Sequence, residues 1–70
     1  MHTSPQQKIL LRRKDVEQRT GLSRSSIYAL AKEGAFPRPV SLSTRSVAWV
    51  AEEVDAWIEE RIKARQAVEA

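Results

Sequence analysis

The sequence predicts a mainly α single domain carrying a small β-hairpin. Three observations carry that prediction: two short helix-forming segments separated by Gly21-Leu22-Ser23, two stretches of period-two alternation on either side of residues 43–46, and a closing segment whose Val54, Trp57, Ile58 and Ile62 repeat at helical spacing. With 70 residues the chain has room for one modest core, too small for most enzymes that need a buried pocket. Its 41% hydrophobic and 30% charged residues, with only two Gly and three Pro, are the mixture of a folded chain rather than a disordered one.

Taken in order, residues 1–7 are polar, carry Pro5 and show no periodicity, so they are expected to form a flexible N-terminal tail. They lack the apolar segment of a signal peptide, and no apolar run approaches the ~20 residues of a membrane span, so a cytoplasmic protein without membrane contact is expected. Ile9, Leu10 and Leu11 form a short apolar run that suits either an edge strand or the lead-in to a helix. Arg13 to Thr20 are helix formers with Val16 turned inward, and Gly21 supplies the left-handed stop. Ser23 is a favoured N-cap for a second helix. There Ile27, Leu30 and Ala31 make the buried stripe, Ser25, Tyr28, Ala29 and Lys32 take the opposite face with Arg24 at its flank, and Gly34 ends the helix.

Phe36-Pro37-Arg38-Pro39 cannot be helical, because proline lacks a donor and biases the preceding residue toward extended geometry. Val40 and Leu42 then alternate with Ser41, and Val47 and Trp49 with Ala48, which predicts paired strands with those four side chains on the core. Residues 43–46 form the tip. A third helix is expected from about Glu52 to about Arg65, its acidic start favoured by the helix dipole, with Trp57 turned against the hairpin strands and residues 66–70 frayed. The folded domain is thus expected over residues 8–65. Two short helices joined by a tight turn, a hairpin and a closing helix follow one another as in a winged helix-turn-helix.

Charge is distributed unevenly along this order. Residues 8–49 hold nine basic side chains against three acidic ones, a net +6, and residues 50–70 hold three against six, a net −3. A basic first part and an acidic last part give the domain an electrostatic dipole whose basic side is a natural footprint for a polyanion such as DNA. Catalysis is not expected, because the carboxylates fall mainly on an exposed helix face and no Gly-rich phosphate loop is present. With no Cys and a single His2, no disulfide, metal site or cofactor is expected either.

Four segments carry a family resemblance: Thr20-Gly21-Leu22-Ser23-Arg24-Ser25-Ser26-Ile27-Tyr28, Lys32-Glu33-Gly34-Ala35-Phe36-Pro37-Arg38-Pro39-Val40, Val47-Ala48-Trp49, and Glu53-Val54-Asp55-Ala56-Trp57-Ile58. Over residues 9–62 the chain resembles the AlpA family of prophage regulators. The resemblance implies a MerR-like winged helix-turn-helix that binds DNA as a transcriptional regulator or an excisionase of an integrated element. Members often carry glycine at the hairpin tip and a basic residue after the first Trp; here Ser43-Thr44 and Val50 stand instead, so one expected phosphate contact is missing.

The candidate DNA-contacting residues are Arg13, Lys14, Ser23, Arg24, Ser25, Ser26, Tyr28, Lys32, Arg38, Thr44 and Arg45. The Ser25, Tyr28 and Lys32 face suits the major groove. Arg24 at its entry can grip guanine O6 and N7 with two hydrogen bonds or contact phosphate, Tyr28 can meet a phosphate or sugar or cover the core edge, and Arg45 suits a narrow minor groove. The expected partner is double-stranded DNA, bound by a protein that is monomeric when free and arrays cooperatively on its site. A competing reading is a protein-interaction module that docks an integrase or an RNA polymerase subunit.

Overall fold

A computed structural model describes residues 8–69, and the side chains of residues 8–65. The elements follow as β1 (Leu10–Leu11), α1 (Arg13–Thr20), α2 (Arg24–Lys32), β2 (Val40–Ser43), β3 (Ser46–Val50) and α3 (Ala51–Glu69). The apolar run before α1 is therefore an edge strand. The three strands make an antiparallel sheet in the order β1-β3-β2, with Leu11 opposite Trp49 and Val40 opposite Ala48. This is the winged helix-turn-helix order of elements, with β2 and β3 as the wing. The tail expected at residues 1–7 lies outside the described residues.

Local chemistry sets the tight turn between α1 and α2. Gly21 takes a left-handed φ of 77° and its N–H donates to the Glu17 carbonyl at 2.8 Å, closing α1. The Thr20 hydroxyl donates back to the Val16 carbonyl and accepts from the Leu22 N–H, so the connection is hydrogen-bonded on both sides. Ser23 starts α2 by accepting from the Ser26 N–H at 3.2 Å.

The core gathers Val16 from α1, Ile27 and Ala31 from α2, Leu11 from β1, Trp49 from β3, Ala51 and Val54 from α3, and Phe36 from the α2–β2 loop. Both indoles clamp that loop. Trp49 Nε1 donates to the Pro37 carbonyl at 3.0 Å, and Trp57 Nε1 donates to the Ala35 carbonyl at 2.7 Å. Phe36 is held between those two anchors with its ring edge-to-face on Trp57, the centroids 4.9 Å apart.

Four expectations are corrected. Val40 and Leu42 do not face the core: they are 39% and 46% exposed, because β2 is a sheet edge. The core-facing alternation of β3 also fails, since Ala48 and Trp49 are both fully buried and Val47 only partly; β3 is the middle strand and meets both α1 and α3. Trp57 is half-buried against the α2–β2 loop rather than the hairpin strands, because its place on α3 lies beside Ala35 and Phe36. The third helix also begins one residue early and runs to Glu69, past the expected end near Arg65 and through residues expected to fray; Gln66, Ala67 and Glu69 are adequate helix formers and no Gly or Pro intervenes.

The wing closes without glycine. Among the described residues no non-glycine residue has a positive φ, so Thr44-Arg45 does not form the mirror-image turn usual for two-residue hairpin loops. The pairing shifts register between Ser41 and Ser43, and the Ser41 hydroxyl donates to the Ser43 carbonyl across the irregularity.

Candidate nucleic-acid interface

The amphipathic pattern of α2 buries Ile27 and Ala31 and leaves Arg24, Ser25, Tyr28, Ala29 and Lys32 exposed. At its start, Ser23 and Ser26 are engaged with each other: the Ser23 hydroxyl accepts from the Ser26 N–H and donates to the Ser26 hydroxyl at 3.1 Å. These two serines hold the helix end in place. The residues left free to meet a ligand there are Arg24 and Ser25.

Three elements converge beside that end. A cleft of about 440 Å³ is lined by Arg12, Arg13 and Lys14 from the start of α1, Arg24 and Tyr28 from α2, and Arg45 with Val47 from the wing. Tyr28 also lines a second depression of about 290 Å³ with Ala31, Lys32, Arg38 and Pro39, so a basic band runs along α2 on both sides of the tyrosine. The Tyr28 ring is held edge-on to buried Trp49, their centroids 5.8 Å apart. Tyr28 thus covers the core edge and faces the band at once.

Ion pairs engage some of the basic side chains and leave others free. Arg13 is bound to Glu17 at 3.0 Å, one turn along α1, and Lys8 and Arg19 pair with Glu52 and Asp55 of α3. Among the described residues, Arg12, Lys14, Arg24, Lys32, Arg38 and Arg45 have no carboxylate within salt-bridge distance. Unpaired cations crowded on one face make that face electropositive. The acidic start of α3 is meanwhile partly neutralised by Lys8 and Arg19.

Of the expected set, the structure brings Arg13, Lys14, Arg24, Tyr28 and Arg45 into one cleft and Lys32 and Arg38 into its neighbour. Ser25 and Thr44 are exposed, on α2 and at the wing tip, and line neither. Arg12 lines the main cleft and is absent from the expected set. Its signal is local: it occupies the N-cap position of α1, where arginine makes no capping bond and leaves its side chain free. Among the described residues no group of His, Cys, Asp or Glu could hold a metal ion, and no helix is long and apolar enough to cross a membrane.

Comparison with known proteins identifies relatives of the chain. Residues 9–62 match the family described as "Prophage CP4-57 regulatory protein (AlpA)". The chain is 47% identical over 60 residues, covering 86% of it and 68% of the relative, to the "Uncharacterized protein ORF88" of Enterobacteria phage P4. It is 33% identical over 60 residues, covering 77% of it and 86% of the relative, to the "DNA-binding transcriptional activator AlpA" of Escherichia coli (strain K12). With more than half its length matched by the family and a 33% identical relative matched over 86% of its own length, the chain belongs to the AlpA family of prophage regulatory proteins.

Proposed function

We propose that the chain binds double-stranded DNA sequence-specifically, with α2 entering the major groove, the start of α1 on the phosphate backbone and the wing reaching the adjacent minor groove. The observation that carries this reading is the convergence of Arg12, Arg13, Lys14, Arg24, Tyr28 and Arg45 from three elements on one face. The relative named as a DNA-binding transcriptional activator supports it. In this arrangement Arg24 offers two parallel donors to guanine, while the serines that cap α2 fix the angle at which it does so. The wing's Arg45, with Thr44 beside it, suits the narrow groove, where negative potential is highest.

The biological setting that fits is control of an integrated element, as a transcriptional regulator of genes such as an integrase gene, as an excisionase, or as both. A gel shift tests the binding itself, using promoter and attachment-site duplexes from the chain's own gene neighbourhood with random duplex as competitor. Specific retardation is expected, weakening steeply as NaCl rises because neutralised phosphates release counterions. Equal binding to random DNA, or binding indifferent to salt, overturns the reading. A promoter reporter and a plasmid excision assay then separate the two roles.

A further inference from the structure

α3 buries its first turns and then outruns the domain: Ala51 and Val54 are buried, Trp57 and Ile58 partly so, and Ile62 is 41% exposed. Between this stretch and the end of α1 lies an open groove of about 330 Å³. Its floor is Trp57, Ile58 and Ile62, and Arg19, Arg61 and Arg65 rim it. None of these residues lines the basic cleft at the start of α1 and α2.

The floor is pre-formed. Trp57 is anchored by its hydrogen bond to Ala35 and its edge contact with Phe36, and the Arg61 guanidinium lies 5.7 Å from the centre of its ring. Asp55 neutralises Arg19 at 3.1 Å. Arg61 and Arg65, one helical turn apart, have no carboxylate partner among the described residues.

Charge and shape select the occupant. A phosphate backbone offers nothing to cover three apolar side chains. No helix of a second copy supplies the complement either: on α3 helical spacing gathers Glu52, Glu53, Glu59 and Glu60 on a face whose neighbours are Ala56 and Lys63, with no large apolar side chain to fill the floor, and the exposed Ile9, Leu10, Val40 and Leu42 belong to or flank the edge strands of the sheet. Packing two such grooves against each other sets Arg61 and Arg65 against their own copies. The chain's own residues 1–7 contain no carboxylate. What complements an apolar floor with an arginine rim is a helix bearing aliphatic side chains at i, i+3, i+4 and i+7 with carboxylates beside them.

We propose that this groove docks an acidic amphipathic helical segment of another protein, on a surface separate from the basic cleft, so that both can be filled at once. Docking at the groove does not depend on the DNA reading.

The test uses the full chain and a fluorescein-labelled synthetic probe of about 18 residues, long enough to form an isolated helix, with Leu along one stripe and Glu flanking it. Anisotropy should rise on titration with a dissociation constant below ~1 mM, as suits a small transient interface. A probe with Lys for every Glu should bind at least about tenfold more weakly. Ile62→Glu and Arg65→Glu, both exposed and checked for folding by circular dichroism, should each weaken the Glu probe at least about fivefold while leaving gel-shift affinity for duplex DNA unchanged. Displacement of the probe by duplex DNA would mean it occupies the basic cleft as a polyanion mimic, and that result overturns the proposal. So do probe affinity unmoved by both variants, absence of binding, and a chain that dimerises through the groove in sedimentation analysis.

Discussion

Trp49 and Trp57 donate to carbonyls two residues apart in one loop, yet their surroundings differ, and the difference sets what each contributes. Trp49 has no exposed area and lies beneath Tyr28, whereas Trp57 stands half-buried at the rim with Arg61 over it. Trp49→Ala therefore leaves a cavity in the middle of the sheet and strands the Pro37 carbonyl, at about 3–5 kcal/mol, which for a chain this short approaches the whole stability. Trp57→Ala removes one hydrogen bond and one edge contact at a site that water can refill, and should cost less, about 2–3 kcal/mol. Urea midpoints of the two variants check the order; a Trp57→Ala chain that unfolds more readily than Trp49→Ala contradicts the burial described here. Arg24 stands apart from packing altogether, being exposed and unpaired. Its replacement by Ala should leave the urea midpoint unchanged and weaken specific DNA binding by about 1–3 kcal/mol, relaxing preference at one base position if the guanidinium grips a guanine. Equal losses on specific and random duplexes reassign Arg24 to the phosphate backbone.

At the scale of elements, the helix-turn-helix is legible in the sequence because its signals are local. Gly21 ends α1, Ser23 starts α2, and the stripe of Ile27 and Ala31 reports the buried face without reference to anything distant. The wing is legible as a hairpin but not in its burial. Alternation of Val40 with Leu42 and of Val47 with Trp49 looks alike on both strands, and only the pairing of β1 with β3 decides that β3 is central and β2 an edge. Convergence of Arg12 with Arg45 is equally hidden, since it depends on where the wing tip folds back against α1. The Ser23 cap joins local structure to the proposed recognition, because its loss frees the end of α2 that carries Arg24. Ser23→Ala should lower stability by about 1 kcal/mol in a urea titration, and Ser23→Asp should restore most of it by accepting the same N–H. If Ser23→Ala and the parent chain unfold together, the capping bond contributes nothing to the start of α2.

The whole molecule is electrically divided: six unpaired cations lie on or beside the helix-turn-helix and wing, while α3 carries most of the carboxylates, two of them already paired with Lys8 and Arg19, beside the unpaired Arg61 and Arg65. In the proposed binding mode one helix and one wing would reach only a few base pairs, and a single module of this kind covers roughly 600–1,000 Å², so one copy alone would discriminate poorly among genomic sites. Several copies side by side on a longer site would supply the missing discrimination, and by jointly bending the duplex they would offset a deformation of a few kcal/mol with contacts that no single copy makes. Contact between the acidic α3 of one copy and Arg12, Arg13 and Lys14 of the next is a weaker source of cooperativity. Those three line the cleft proposed for phosphate, and an exposed ion pair contributes only ~0–1 kcal/mol. The free chain is therefore expected to be monomeric in light scattering, and footprints on attachment-site DNA should grow in module-length steps with a sigmoidal dependence on concentration. Glu59→Gln with Glu60→Gln should keep that sigmoid, whereas Lys14→Gln should weaken every step alike. A single protected site of one module's length with hyperbolic occupancy rules out the array, and a sigmoid abolished by the two glutamate changes transfers cooperativity from the bent duplex to the contact between neighbours.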